Sequence, residues 1–234
     1  MRIFDVDNPV FNFIGKIGDI FLLNFLWLLT SLPIITLGAS TSAMLGTAVK
    51  MVNGTETPII KKYFKAFKQN FKQSTIIFLI MAVAGLVLAV DIWFWVNNES
   101  SSSYIFLAFS LGLCIPYISV LVYVFAVLAR FENTIKGTIK NSFFIAIKHL
   151  RFTFTLLMMV VVLIIINYTV LLVSYFTLIF GIGLFAYLSG FVYVEVFRNY
   201  EPKPVVSKYD IYDNEKKDKP IKHVFGRAMK VERN

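Results

Sequence analysis

From Phe152 to Val194 the chain carries no formal charge. As one helix rising about 1.5 Å per residue, this run would be roughly 65 Å long, twice the ~30 Å hydrocarbon core of a bilayer. A soluble fold has no interior large enough to hide it, and a single crossing cannot use its length. It must therefore double back within a membrane, and the reversal is expected between Ser174 and Gly183. Composition points the same way: 57% of residues are hydrophobic, 16% aromatic and only 16% charged, outside the usual balance of soluble domains.

Apolar windows predict five spans, at about Ile17–Leu37, Thr75–Val96, Tyr104–Ala129, Phe152–Val173 and Tyr175–Phe197. The expected fold class is an all-α integral membrane protein of about five transmembrane helices with basic amphipathic juxtamembrane helices. Residues 1–16 read as an external segment, 17–197 as the helical domain, and 198–234 as a cytoplasmic, disordered tail of mixed charge. Between the first and second spans lie Lys50, Lys61, Lys62, Lys65, Lys68 and Lys72 against Glu56. Between the third and fourth lie Arg130, Lys136, Lys140, Lys148 and Arg151 against Glu132. Both loops should face the cytoplasm, which with five crossings makes the amino terminus external and the carboxyl terminus cytoplasmic. The small residues of "GASTSA" (Gly38–Ala43) suit a signal peptidase, but the run before them is too long for a signal peptide and the positive excess follows it. The first run is expected to stay and to span.

Pro33 removes a backbone donor and predicts a kink in that first helix. Beyond it Gly38, Ser42 and Gly46 recur at four-residue spacing, a row that lets helix backbones approach closely and carries the helix on through Val52. After the Asn53-Gly54 turn, Thr57 suits an N-cap and Pro58 a first helical position. Lys61, Lys65, Lys68 and Lys72 then fall on one stripe, and Ile60, Phe64, Phe67 and Phe71 on another. About residues 58–74 this predicts a helix lying on the membrane, its lysines on anionic headgroups. A second amphipathic segment is expected at about 134–151.

Polar residues inside spans are costly and become functional candidates by default. Here they are Asn24, Asp91, Asn167 and Glu195, with Pro33 and Pro116 as bending positions. Each has a plainer role: Asn24 as packing glue, Asp91 as an interfacial carboxylate beside "WFW", Asn167 in packing or a turn, and Glu195 as a charge paired near Arg198. His149 and His223 make no metal-ligand spacing, Cys114 stands alone, and there is no phosphate loop or nucleophile motif. No catalysis, metal or cofactor is implied. The net charge of +9 sits beside apolar runs rather than in a folded basic domain, so nucleic acid is not an expected partner.

Taken together, "FDVDNP" (Phe4–Pro9), "KIGDIFLLN" (Lys16–Asn24), Trp27, "SLPIITLGASTSA" (Ser31–Ala43) and "FKAFKQNFKQ" (Phe64–Gln73) resemble the YesL family of bacterial membrane proteins. The resemblance is specific over the first third of the chain and continues as hydropathy and span order. It implies a small polytopic protein of the bacterial plasma membrane, typically Gram-positive, whose genes often sit beside sugar ABC importers and polysaccharide-degrading enzymes. It brings no activity and no catalytic residue. The function it implies is an accessory or interaction subunit in carbohydrate uptake, with ABC permease subunits or a second copy as partners. The rival reading is a small-solute transporter or channel working as an oligomer.

Overall fold

The structure is a computed structural model that describes residues 9–54, 58–98, 100, 102–169 and 171–200. The described chain is helical, and six of its helices are long and apolar enough to cross a membrane. α1 (Pro9–Ser31) is followed by a 3-10 turn (Ile34–Thr36) and α2 (Leu37–Val52). α3 (Ile59–Val96), α4 (Ser103–Arg130), α5 (Ile135–Lys148) and α6 (Leu150–Thr169) come next. The last stretch comprises α7 (Leu171–Phe176), a π-helical turn (Thr177–Gly181) and α8 (Ile182–Phe197). The chain divides into a unit of Met1–Asn199, described here, and a unit of Tyr200–Asn234 of which only Tyr200 is among the described residues. The expected tail and His223 lie outside them.

The first correction is at Pro33. A kinked but continuous helix was expected, and the chain instead folds back on itself. Trp27 Nε1 donates to Thr41 Oγ1 at 3.2 Å, although fourteen residues of helix would separate the two positions by about 21 Å. Thr36 Oγ1 donates to the Thr30 carbonyl at 2.5 Å and so closes the turn. The single first span is thus two helices, each long and apolar enough to cross a membrane. Helix also begins at Pro9, inside the expected external segment.

The second correction concerns α3. The amphipathic segment and the following span are one uninterrupted 38-residue helix, roughly 57 Å long. Its first half does not simply lie on a surface. Ile59, Lys62, Tyr63 and Ala66 form a third face that is buried against the fold, while Phe64 and Phe71 stay about 40% exposed beside the exposed lysines. Pro58, expected as the first helical residue, is the cap instead, and Thr57 lies outside the described residues.

The charge-free run does double back, but earlier than expected, beyond the end of α6 at Thr169, with Ser174 Oγ donating to the Asn167 carbonyl. Met159, Leu163 and Ile166 of α6 face Phe176, Leu184 and Leu188 of the returning segment across an apolar crevice. "TVLLV" contains no Gly or Pro to mark that turn. Helix periodicity runs through it unbroken, so local pattern could not place it.

The core forms around Leu23, Tyr63, Ile77, Tyr123, Leu156 and Phe197, all fully buried. Tyr193 Oη donates to the Val122 carbonyl at 2.7 Å and ties α8 to α4. Outside this core the usual pattern inverts. Ile14, Ile17, Phe21, Phe25 and Leu29 line the exposed face of α1, and only 11% of the most apolar stretch of α3, and likewise of α6, is buried inside the fold. Exposed apolar faces of that extent need hydrocarbon as their solvent. The chain is an all-α multi-pass membrane protein.

Candidate functional site

The polar side chains that sequence singled out are scattered, and the structure shows what each one holds. Asn24 is the most enclosed, with no exposed surface. Its Nδ2 lies 2.8 Å from the carbonyls of both Leu178 and Ile179, and its Oδ1 accepts from the Gly183 amide at 2.7 Å. Those three groups belong to the π-helical turn and the first turn of α8. A π turn displaces backbone groups from their ordinary helical partners, and a primary amide, with two donors and a carbonyl, can serve both signs at once. α1 comes close enough only because residue 183 is glycine: a Cβ there would sit 2.6 Å from the Ile20 carbonyl oxygen and 2.8 Å from Asn24 Cβ. Sequence offered Asn24 as a group able to bond to another helix, but nothing local announced the π turn it bonds to.

A second knot joins α1, α2 and α3. Tyr63, fully buried, places its hydroxyl 2.5 Å from Thr30 Oγ1 and 3.4 Å from the Ser40 carbonyl. Ser42 Oγ donates to the Phe125 carbonyl of α4 at 3.3 Å. Sequence reasoning passed over Tyr63, because it sits between the lysine and phenylalanine stripes that drew attention.

Asp91 joins α3 to α4 near their Val96 and Ser103 ends. It accepts from Trp95 Nε1 at 3.0 Å and from Ser110 Oγ, and Trp95 stacks on Phe106 with ring centroids 4.5 Å apart. Replacing Asp91 with Ala is expected to loosen that end by about 1–2 kcal/mol, read as a lower unfolding midpoint in detergent. Pro116 lies within an α4 that continues unbroken past it; beside it Tyr117 Oη donates to the Met81 carbonyl at 2.9 Å. Asn167 Nδ2 donates to the Leu163 carbonyl at 2.7 Å, and its own backbone carbonyl accepts from Ser174 Oγ across the reversal at 2.9 Å. Pro33 occupies the fold-back. Glu195 pairs with Arg198 at 3.4 Å, both well exposed.

At the lysine-rich end the chemistry changes. Lys61, Lys65, Lys68 and Lys72 are exposed, while Lys62 is only 6% exposed. The charges of Lys65, Arg130 and Lys62 all act on Lys50, and Lys62 also acts on Asp19. Where α3 meets the end of α4 and residues 131–133 lies a polar cleft of about 440 Å³. Gln69, Gln73, Arg130, Glu132 and Asn133 contribute to its walls, and Gln73 Nε2 donates to the Asn133 carbonyl across it. Amides, a guanidinium and one carboxylate are groups for recognition. Among the described residues, no group of three or more His, Cys, Asp or Glu converges as a metal site would require.

Comparison with known proteins is consistent with this picture and adds no activity. Residues 20–92, which contain Asn24, Tyr63 and Asp91, match a family described as a protein of unknown function, DUF624. Two Bacillus subtilis (strain 168) relatives match. The uncharacterized protein YesL is 29% identical over 150 residues, covering 62% of this chain and 70% of the relative. The uncharacterized protein YteU is 25% identical over 149 residues, covering 60% and 64% respectively. No solved structure matches.

Proposed function

We propose that this chain, which is similar to the YesL family of membrane proteins, is a non-enzymatic accessory subunit of the bacterial plasma membrane, working with the permease subunits of a carbohydrate ABC importer. One observation supports an accessory over a carrier. Asn24, Asp91 and Asn167, the polar residues that would line a path, each bond to a helix backbone or a neighbouring side chain. The importer as partner comes from the company the family's genes keep.

Affinity purification of the natively expressed protein in mild detergent, followed by mass spectrometry, tests this. Sugar-importer permease subunits are expected in stoichiometric amount. Recovery of the protein alone, together with solute flux in proteoliposomes that Asp91→Asn abolishes, would overturn the reading in favour of an oligomeric transporter.

The positive excess of the lysine-rich start of α3 and of the Arg130–Arg151 stretch supports a cytoplasmic side for both. The fold-back at Pro33 and the charge of Lys62 acting on Asp19 support a reading with the start of α1 on that same side, together with the end of α8. Fluorescent-protein fusions ahead of Pro9 and after Tyr200 should therefore both fluoresce in the cytoplasm. An amino-terminal fusion active only outside the membrane would return the topology to five crossings.

A further inference from the structure

Between Asp19 and Lys50 the chain carries no charge, and the fold-back at Pro33 falls near the middle of that stretch. By overall length and composition α1 and α2 could each cross a bilayer. Their charge-free legs are too short to do so. Ile20–Ser31 rises about 18 Å and Leu37–Val49 about 20 Å, against a hydrocarbon core of about 30 Å. We propose that α1 and α2 form a re-entrant hairpin, which enters and leaves the membrane on its lysine-rich face and seats the Pro33 tip among lipid acyl chains, short of the opposite headgroups.

Three features besides leg length support this assignment. The first is depth. α2 lies against the basic half of α3, where the Tyr63 hydroxyl reaches the Ser40 carbonyl. At the start of α2, a Cβ on Gly38 would meet the Ser74 carbonyl and Phe78 Cβ, the level at which the lysine-bearing half of α3 gives way to its apolar half. α3 then runs on to Val96, roughly 27 Å beyond Phe78. A hairpin that turns beside Ser74 and Phe78 stops well short of that far end. At its base, the charge of Lys62 acts on both Asp19 and Lys50, so the two legs start from the lysine level together.

The second feature is the surface of the tip. Leu32, Ile34 and Ile35 are 77%, 75% and 55% exposed. Facing water, the turn would hold three large aliphatic side chains in it. The connection between α3 and α4, by contrast, reads "NNESSSS" (Asn97–Ser103), as a watery turn should. The third feature is how the tip closes its own backbone. Within hydrocarbon a helix break is tolerated only when the protein satisfies the polar groups it frees. Proline has no amide to leave over. Thr36 Oγ1 lies 2.5 and 2.6 Å from the carbonyl oxygens of Thr30 and Pro33, the Thr36 amide donates to the Pro33 carbonyl at 2.9 Å, and Ser31 Oγ donates to the Leu28 carbonyl at 3.1 Å. The turn is apolar outward and hydrogen-bonded inward, which suits it to acyl chains. The hairpin takes from the topology proposed above only which face is cytoplasmic, and it stands whether or not the chain accompanies an importer.

Nitroxide spin labels on the full-length protein, in sealed proteoliposomes of phosphatidylglycerol and phosphatidylcholine, test it. Cys114→Ala provides the background, and single cysteines are introduced as Ile34→Cys, Lys61→Cys or Ser102→Cys. Ile34 is exposed, so its replacement should leave the unfolding midpoint unchanged. Oxygen, which concentrates in hydrocarbon, should relax the Ile34→Cys label several-fold more than a water-soluble nickel chelate does, and the other two labels should show the reverse. A membrane-impermeant maleimide should reach Lys61→Cys and Ser102→Cys from opposite faces and Ile34→Cys from neither. Labelling of Ile34→Cys from the Ser102 face would overturn the hairpin in favour of two full crossings. Labelling from the Lys61 face would overturn its seat in the membrane. A label at Ile34→Cys shielded from oxygen and nickel alike would overturn acyl chains as the tip's neighbours and point to a protein surface in their place.

Discussion

Replacing Asn24 with Leu is expected to destabilise the protein by roughly 2–4 kcal/mol, the largest effect of any side-chain truncation in the spans. The size follows from what the amide does. Cross-helix hydrogen bonds within membranes average about 0.6 kcal/mol each, and three of them converge on this one side chain. Leu also strands the Gly183 amide and two carbonyls in an apolar interior, and an unsatisfied buried group adds about 1–3 kcal/mol. The same change at Asn167, whose amide bonds only within its own helix, should cost well under 1 kcal/mol. Unfolding in mixed micelles gives the energies, and hydrogen exchange across residues 177–183 locates them. Faster exchange there in Asn24→Leu, with α3 unchanged, is the expected signature. An unchanged exchange pattern would mean that the π turn holds itself and Asn24 merely fills space.

The Asn24 lock shows why part of this fold could be read from sequence and part could not. Length and charge govern a chain in hydrocarbon directly, so the doubled-back run after Phe152 and the two basic loops followed from elementary distances. The π turn has no composition of its own. It exists because an amide more than 150 positions away along the chain supplies the bonds it lacks, and no window around Thr177 contains that information. The break at Pro33 is similar. A proline with helical periodicity on both sides is compatible with a kink or a reversal, and here the choice goes to Trp27, Thr41 and Thr36, whose hydrogen bonds form only if the chain turns back. On α3, the lysine and phenylalanine stripes were visible because they repeat. The third face escaped because one of its members is Lys62, a residue type that rarely faces inward.

The second large effect is expected on α2, where small residues set how closely other helices approach. Gly38→Ala should destabilise by about 1–3 kcal/mol, and Gly38→Val by more. A Cβ at position 38 would fall 2.5 Å from the Ser74 carbonyl oxygen and 2.6 Å from Phe78 Cβ. These are backbone and near-backbone atoms, which cannot rotate away, so α2 and α3 would have to separate. Separation would also strain the bonds that Tyr63 makes to Thr30 and Ser40, since all three helices meet there. Gly18→Ala is the internal control. It lies in a helix with nothing within 4 Å of the added carbon, so the better helix former should stabilise by up to about 1 kcal/mol. The two substitutions add the same methyl group to the same residue type yet should move the unfolding midpoint in opposite directions. If Gly38→Ala behaved like Gly18→Ala, α3 would not be seated on α2 as closely as the Ser74 and Phe78 contacts require.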